Sequence, residues 1–413
     1  MIKRKEMKNI AIIGGGAAGF FAAITAKKQN KNNEVFIFER SKRVLAKVAI
    51  TGGGRCNVTN SFNEISSLTT AYPRGHKLLK RLFNIFDYIS CYQWFEEHGV
   101  KLITQEDNCV FPQSQDAQSI VQCLVNEAHK LGIKVITDHW LENIEAQENG
   151  TICLHFKDKG KRYFDAVAIT TGGSPRIEPL QYLAKCGHKI EQPVPSLFTF
   201  NINNNSLKSL MGTVIPNSSL HIPGSKINSS GALLITHWGI SGPATLKLSS
   251  YAARIAKEQN YKISIAINWA NGFSLAEVEK LLKDTIQNNP QKQISSIRFL
   301  DITTRVWTFL LSRADIDCQK KCNELSKKMI NKLIETLTND IYTTNGKGTF
   351  KEEFVTCGGV SLKSINNNTL ESKHVPNLYF AGEVLDIDAI TGGFNLQAAW
   401  TTGYIVGLNI GTR

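Results

Sequence analysis

The residues whose types and spacing best suit chemistry lie in the stretch AITGGGRCNVTN at positions 49–60. The thiol of Cys56 follows the guanidinium of Arg55, and a thiol beside a cation can serve as a proton donor. Thr51 and the three glycines after it offer consecutive backbone N–H groups, which suit a bound anion. The alternative is that Cys56 is a small buried residue that fixes the loop, because free cysteines are commonly buried.

A second candidate for proton transfer is His237, in the stretch THWGISGPA. A histidine in a loop bounded by glycine and proline can carry protons, or it can be only a hydrogen-bond partner for the loop. We expect no metal site. The nine cysteines form no C-x-x-C pair, and Cys318 and Cys322, four residues apart on an expected helix, have no histidine near them in the sequence.

The elements that must position these residues begin with a G-x-G-x-x-G fingerprint at positions 14–19. An apolar strand at residues 10–13 precedes it, an apolar helix follows, and a second strand ends at Glu39, 20 residues after Gly19. Gly14 permits a tight turn, Gly16 lets the backbone approach a pyrophosphate, and Gly19 lets helix and strand pack closely. The helix N-terminus then offers N–H groups to phosphates, and Glu39 is spaced to bind a ribose. The pattern predicts a bound dinucleotide.

Two further glycine elements favour FAD over NAD. The segment DAVAITTGGSP at 165–175 has a strand followed by Thr-Gly-Gly, and residues 377–407 have a strand, then Gly382 and Glu383, then a helix opened by Gly392 and Gly393. The second segment looks like the closing segment of two-domain flavoproteins, in which a helix N-terminus stabilises negative charge on the flavin.

The length of 413 residues predicts more than one core, because single cores stop growing at roughly 250–300 residues. Hydrophobic residues make up 42% and charged residues 20%, which is typical of a soluble globular protein. The basic start and apolar run of the N-terminus resemble a secretory signal, but the consecutive glycines argue against one. No other apolar run approaches the roughly 18 residues of a membrane span, so we expect a cytoplasmic protein without a membrane partner. The oligomeric state is left open.

A long insertion separates the Thr-Gly-Gly element from the C-terminal strand. Its first half has short β-branched runs broken by Gly, Pro and Asn, which predict antiparallel strands or a small barrel. Its second half is helical, with a Ser274-x-x-Glu277 capping box and a helix-spaced apolar stripe from Leu325 to Leu337. We therefore predict an α/β fold. A Rossmann-type FAD-binding domain would comprise 1–190 and 342–413, with inserted antiparallel strands or a small barrel at 191–270 and an inserted helical subdomain at 271–341.

The stretches AITGGGRCNVTN, THWGISGPATLKLS, VTCGGVSL and ESKHVPNLYFAGEVLDIDAITGGFNLQAAWTTG, together with the glycine fingerprint, resemble the BaiN/RdsA family of FAD-dependent oxidoreductases. The resemblance runs from about residue 8 to the end. It implies FAD as the cofactor and a Rossmann-type FAD-binding domain interrupted by a β-barrel, at 191–270, and a helical subdomain. The chain departs from the family pattern at Thr51, where serine is common, and at Cys357, where a small residue is usual.

The predicted cofactor-binding residues come from the fingerprint, the end of the second strand, the 49–60 stretch with the nearby Lys47, and the two later glycine elements. They are Gly14, Gly16, Ala17, Ala18, Gly19, Glu39, Arg40, Lys47, Thr51, Gly52, Gly53, Gly54, Arg55, Cys56, Asn57, Thr171, Gly172, Gly173, Gly382, Glu383, Gly392, Gly393, Phe394 and Asn395. Only one dinucleotide fingerprint is present, so we expect NAD(P)H to act as a transient electron donor.

The charge of the chain bears on its substrate. Net charge is +13, and residues 40–81 contain nine basic residues against one acid, Glu64. Such a surface suits a polyanion, although a solvated lysine-rich surface is the alternative. One branch of the resembled family implies reduction of a uridine in large-subunit ribosomal RNA (23S) to dihydrouridine, and Lys77, Lys80 and Arg81 are then expected to bind RNA.

The expected reaction passes hydride to C6 of the uracil and a proton to C5, with Cys56 and His237 as candidate acids. Another branch of the family implies small-molecule substrates, such as bile-acid-like enones or amines. A third hypothesis is an RNA-binding assembly factor whose FAD is structural.

Overall fold

The computed structural model describes residues 7–348 and 355–410. The chain divides into two compact units. The first contains Met1–Pro195 and Val355–Arg413, and the second is Ser196–Phe354. The three-part division expected from the sequence stays a prediction.

The first unit is built on a parallel sheet of five strands in the order β20-β10-β1-β2-β6. The strands of the whole first unit, including those outside this sheet, are β1 (Asn9–Ile13), β2 (Glu34–Phe38), β3 (Thr59–Asn60), β4 (Leu102–Thr104), β5 (Cys109–Pro112), β6 (Lys134–Ile136), β7 (Leu141–Ala146), β8 (Ile152–Phe156), β9 (Gly160–Phe164), β10 (Ala166–Ile169) and β11 (Ile190–Ser196), with β19 (Val355–Val360) and β20 (Leu378–Phe380) after the second unit. Small antiparallel sheets β3-β5-β4 and β7-β8-β9 and the pair β11-β19 complete it.

The helices of the first unit flank this sheet. They are α1 (Ala17–Gln29), α2 (Ala46–Gly54), α3 (Leu68–Ala71), α4 (His76–Leu82), α5 (Tyr88–Glu97), α6 (Gln118–Lys130), α7 (Gln181–Lys185) and α13 (Phe394–Ile410). Short 3-10 turns lie at Glu178–Leu180, Leu362–Ser364 and Gly382–Val384. The strand-helix-strand order predicted around the glycine fingerprint is confirmed.

Helices α1 and α13 pack against each other at very short range because two glycines of α13 face α1. A Cβ on Gly403 would lie 2.4 Å from the carbonyl oxygen of Ala18, and a Cβ on Gly407 would lie 2.4 Å from Cβ of Thr25. Both helices are apolar around most of their circumference, as expected of helices buried in a core. The contacts advance along both helices together, so the two helices run in the same direction.

The second unit contains an antiparallel sheet of seven strands in the order β17-β16-β13-β14-β15-β12-β18. Its strands are β12 (Phe200–Asn201), β13 (Val214–His221), β14 (Asn228–Ile235), β15 (Gly239–Ser241), β16 (Ser264–Asn268), β17 (Asp340–Thr343) and β18 (Gly346–Lys347). Its helices are α8 (Asn205–Lys208), α9 (Pro243–Glu258), α10 (Leu275–Gln287), α11 (Thr304–Arg313) and α12 (Lys327–Thr338), with 3-10 turns at Ile294–Ser296 and Cys322–Glu324. The two edge strands, β17 and β18, are only two residues apart in the chain, so the sheet curves until its edges are neighbours.

Sequence rules located two helices of the second unit, α10 and α12, whereas α9 (Pro243–Glu258) lies within the stretch expected to form strands. The capping box of Ser274 and Glu277 is present at the start of α10, and Leu333, Ile334 and Leu337 of α12 enter the core. The expected helix carrying Cys318 and Cys322 is wrong. The preceding helix α11 ends at Arg313, Asp315 adopts φ 56°, and Cys322 begins a 3-10 turn, because a left-handed residue does not continue an α-helix.

Among the described residues, no helix combines the length and the apolar character needed to cross a membrane.

Candidate cofactor site

The turn between β1 and α1 is closed by two glycines that the packing requires. Gly14 has φ 114°, and a Cβ there would lie 2.4 Å from the carbonyl oxygen of Thr170, the residue that follows β10. A Cβ on Gly19 would lie 2.0 Å from the carbonyl oxygen of Gly14. The hydroxyl of Thr170 donates to that same carbonyl at 2.9 Å. The start of α1 is therefore held between two neighbouring strands.

Gly16, which caps the N-terminus of α1, has a different environment. No atom lies within 4 Å of the position that its Cβ would occupy, and its φ of −96° is open to any residue. Ala17 and Ala18 follow in the first turn, which contains no acidic residue. The backbone N–H groups of a first turn lack helical partners and favour an anion. The open space in front of Gly16 thus fits a pyrophosphate.

The carboxylate of Glu39 stands immediately after β2 and is fixed by backbone donors. One oxygen accepts from the N–H of Gly15 at 2.9 Å, and the other accepts from the N–H of Ser41 at 2.8 Å. Next to it, the guanidinium carbon of Arg40 lies 5.8 Å from the ring centroid of Trp140. The two backbone hydrogen bonds to Glu39 leave other lone pairs of its carboxylate available to the hydroxyls of a ribose.

The 49–60 stretch begins in α2 and turns sharply at its glycines. Thr51 leaves the helical conformation, and Gly52, Gly53 and Gly54 have φ of 58°, 69° and 84°. A Cβ added to Gly53 or Gly54 would have no atom within 4 Å apart from those of its chain neighbours. The guanidinium of Arg55 braces this turn, because Nε donates to the carbonyl of Gly52 at 3.2 Å while the group lies 4.2 Å from the ring centroid of Phe111.

The second half of the stretch is bonded to the start of α13. Thr59 Oγ1 donates to Gln397 Oε1 at 2.6 Å, and Asn60 Nδ2 donates to the carbonyl of Gly392 at 3.0 Å. With the amide of Asn57 oriented to satisfy both of its ends, its nitrogen donates to the carbonyl of Thr59 at 2.8 Å and its oxygen accepts from the N–H of Gly393 at 3.2 Å. The loop and the helix N-terminus therefore form one wall.

The N-terminal residues of α13 are fixed from their other side as well. The hydroxyl of Tyr72 donates to the carbonyl of Phe394 at 2.8 Å. Asn395 accepts from the N–H of Ala389 at 3.0 Å and donates to the carbonyl of the same residue at 3.1 Å. This closes the loop that leads from β20 to α13.

The remaining glycine elements meet around Glu383. Its carboxylate accepts from the N–H of Thr356 at 2.7 Å and from Nζ of Lys47 at 3.1 Å. A Cβ on Gly173 would lie 2.5 Å from one of its oxygens, and a Cβ on Gly382 would lie 2.9 Å from Cβ of Ala18. Gly172 adopts a left-handed conformation with φ 75°. Thr171, the residue before it, is exposed.

The N-terminus of α13 extends beyond that of α1. Gly403 is nine residues into α13 but packs against Ala18, which is one residue into α1. At about 1.5 Å per residue, these eight residues of difference place the start of α13 about 12 Å beyond the start of α1. An elongated cofactor with a phosphate group at α1 and a ring system at α13 fits this arrangement.

Cys56 is part of the wall but is fully buried, and its φ is 63°. Burial raises the pKa of the thiol to about 12, and a hydrogen bond with the Thr51 side chain opposes that shift. A thiol so strongly held in its neutral form is a weak proton donor. The structure therefore favours the packing alternative for Cys56.

His237 belongs to the second unit, where its exposed ring lies edge-on to Trp238 with the two centroids 4.3 Å apart. Its role in proton transfer stays a prediction.

The basic residues of 40–81 do not all face solvent freely. Arg74 forms an ion pair with the fully buried Asp388. By contrast, Lys77, Lys80 and Arg81 are exposed on one face of α4, whose opposite face buries Leu78, Leu79 and Leu82. Arg81 also donates to Oδ1 of Asn368 at 2.7 Å.

Sequence reasoning missed several residues that build the site. Thr59, Gln397, Tyr72 and Thr170 contact predicted residues directly. Only Thr170 carried a usable signal, because it ends the strand before a predicted Thr-Gly-Gly.

Comparisons with known proteins agree with this geometry. The sequence profile of the family described as HI0933-like protein Rossmann domain matches residues 8–409. A 3-dehydro-bile acid delta(4,6)-reductase from Clostridium scindens is 26% identical over 97% of this chain and 98% of its own. A ribosomal RNA dihydrouridine synthase from Haemophilus influenzae is 28% identical over 97% of each chain.

Among solved structures, a 3-ketosteroid-delta4-(5alpha)-dehydrogenase from Rhodococcus jostii RHA1, in complex with 4-androstene-3,17-dione, is similar with a TM-score of 0.53. The match covers 100% of this chain and 99% of the other at 13% identity, and it shows a shared fold.

Proposed function

Because the chain belongs to the HI0933-like family of FAD-dependent oxidoreductases, of the BaiN/RdsA type, we propose that it uses FAD and NAD(P)H to reduce a uridine of large-subunit ribosomal RNA to dihydrouridine. Two kinds of reaction are named among its relatives, and both reduce a C=C bond. The C5=C6 bond of uracil is conjugated to a carbonyl, as is the alkene of a dehydro-bile acid. The choice between them rests on what the protein surface recognises.

The observation that carries the proposal is the basic face of α4. Lys77, Lys80 and Arg81 are exposed together, at the i, i+3 and i+4 positions of one helix. The residues just before α4 touch the cofactor wall, because Tyr72 bonds to Phe394 and a Cβ on Gly75 would lie 2.7 Å from Ile387. Cations beside the wall suit the phosphates of RNA, whereas a neutral steroid gives no reason for them.

The residues of the site fit FAD, and each has a role in holding it. The N–H groups of the first turn of α1 would bind the pyrophosphate in the open space at Gly16, and Glu39 would accept hydrogen bonds from ribose hydroxyls. When bound, FAD supplies hydride transfer between the nicotinamide donor and the substrate. The N-terminus of α13 would stabilise negative charge on a ring system bound in front of it. Reduction of uracil also needs a proton at C5, for which exposed His237 is a candidate and buried Cys56 is not favoured.

The name of the Clostridium scindens relative favours a second candidate, reduction of a steroid-like enone. On this alternative the basic face of α4 is a solvated surface. A third possibility is an RNA-binding assembly factor with structural FAD. The basic face of α4 is the observation that supports it, and that face supports the proposed reaction equally.

Single-turnover oxidation of the reduced holoenzyme distinguishes these functions. The enzyme is reduced with NAD(P)H without oxygen and mixed with protein-free large-subunit RNA or with a steroid dienone. We expect rapid reoxidation by the RNA and little by the steroid. Reoxidation by the steroid alone would favour the second candidate, and RNA binding without reoxidation would favour a structural flavin.

A further inference from the structure

A group of three metal-ligating side chains lies in the first unit on the hairpin of β7 and β8. Glu145 pairs with Cys153 across the hairpin, and His155 is the next residue on the same face of β8. One ligand atom from each side chain, a carboxylate oxygen, Sγ and a ring nitrogen, lies within 4.8 Å of each of the others. None of the three belongs to the cofactor wall.

We propose that Glu145, Cys153 and His155 bind a divalent cation of the zinc type. Thiolate, imidazole and carboxylate are the ligands that zinc takes in proteins, with bonds of about 2.0–2.3 Å. Tetrahedral coordination places ligand atoms about 3.5 Å apart. Oε2 of Glu145 and Nε2 of His155 are 3.0 Å apart and every pair of ligand atoms lies within 4.8 Å, so side-chain movements of about 1 Å bring all three into range. Sheet pairing fixes the three backbone positions, because side chains opposite each other on one face are close neighbours.

The environment of each ligand supports binding. Nε2 of His155 is shielded from solvent and lies 3.0 Å from Oε2 of Glu145, so two of the ligand atoms already face each other. Asn143 donates to the other carboxylate oxygen of Glu145 at 3.3 Å and so leaves Oε2 turned towards the histidine. Cys153 is 1% exposed, so a metal bound there would be shielded from water on the side of the thiol.

Lys161 is the competing cation. Its Nζ lies 4.0 Å from Oε2 of Glu145, but its side chain is 55% exposed and can turn into solvent when a metal binds. Zinc binding would then add Sγ of Cys153 to the side-chain contact between Glu145 and His155 that already links β7 to β8. This differs from the metal-free protein expected from the sequence, since the cysteine and histidine are two residues apart on a strand rather than in a C-x-x-C pair.

Metal content and cobalt spectroscopy of the FAD-loaded full chain test the proposal. Purified protein is dialysed against Zn²⁺ and then against buffer, and the metal is counted by elemental analysis. We expect one Zn²⁺ per chain, and Co²⁺ in its place should give absorption in the red, beyond the flavin bands. Cys153→Ser and His155→Ala should each weaken binding at least about tenfold, while Cys123→Ser, a half-buried thiol elsewhere, should not.

Lys161→Gln gives a test with the opposite sign, because removal of the competing ammonium should tighten Zn²⁺ binding several-fold without touching a ligand. Less than about 0.1 Zn²⁺ per chain in the wild type would overturn the proposal. Equal binding by wild type, Cys153→Ser and His155→Ala would overturn it as well. The site is independent of the RNA substrate, so neither result bears on the proposed reaction.

Discussion

Thr59 and Gln397 are 338 residues apart in the sequence, yet Oγ1 of the threonine donates to Oε1 of the glutamine at 2.6 Å. Both side chains are fully buried. A buried hydrogen bond of this kind is costly to break on one side only, because the remaining partner loses its solvation without compensation. The bond therefore fixes the 49–60 loop against the start of α13 before any cofactor arrives.

The first prediction separates cofactor binding from folding at two glycines of one motif. Gly16→Asp should abolish FAD binding, because the new carboxylate occupies the open space meant for the pyrophosphate and repels it. The same change should not destabilise the apoprotein, since aspartate is a good helix N-cap.

Gly19→Ala is the matched control for this prediction. Its Cβ would lie 2.0 Å from the carbonyl oxygen of Gly14, so it should lower the free energy of unfolding by about 3 kcal/mol. Flavin absorbance and chemical unfolding of the apoprotein measure both effects. Normal FAD content in Gly16→Asp would contradict the placement of the cofactor.

A second prediction concerns the role of Cys56. Cys56→Ala should retain turnover within about threefold, whereas loss of a general acid typically costs roughly 100- to 10,000-fold. The change should still lower the free energy of unfolding by about 1–2 kcal/mol, because it leaves a small cavity in a closed core. Steady-state kinetics and denaturant titration check the two parts. A turnover loss beyond a hundredfold with intact FAD would restore the thiol as proton donor.

The raised pKa of Cys56 also gives the stability a defined dependence on pH. The folded thiol has a pKa of about 12, above that of an unfolded thiol at about 8.5. The contribution of the Cys56 thiol to the free energy of unfolding is therefore fully present below the pKa of the unfolded state. It is lost as pH rises towards the pKa of the folded state. The stability difference between wild type and Cys56→Ala should fall above about pH 9 by up to about 1.4 kcal/mol per pH unit. A difference that is constant up to about pH 11 would contradict the assigned burial.

A third prediction tests the basic face of α4. Simultaneous Lys77→Glu, Lys80→Glu and Arg81→Glu should weaken RNA binding and lower the slope of log K against log salt by about 3, if each residue contacts one phosphate. FAD content should not change, because these side chains lie on the face of α4 opposite its buried leucines. Lys157→Glu with Lys159→Glu, two exposed lysines in the β8–β9 turn, is the control and should leave the slope nearly unchanged.

Local sequence rules predicted the glycine turn, the strand before it and the helix caps, because each depends on a few neighbouring residues. They did not predict Gln397 or Tyr72, whose partners come from distant segments and whose types carry no local signal. Burial of Cys56 was one of the two alternatives that the sequence left open, and the three-dimensional packing was needed to choose between them. The error at Cys318 and Cys322 has a similar origin, because a spacing of four residues cannot reveal where the preceding helix ends.

The central claim, reduction of a ribosomal uridine, is tested most directly by mapping dihydrouridine in large-subunit RNA from a strain that lacks the gene. We expect one dihydrouridine to disappear, to return with the wild-type gene, and to stay absent with Gly16→Asp, which keeps the fold but not the cofactor. A modification pattern identical in the deletion and parent strains would contradict the claim.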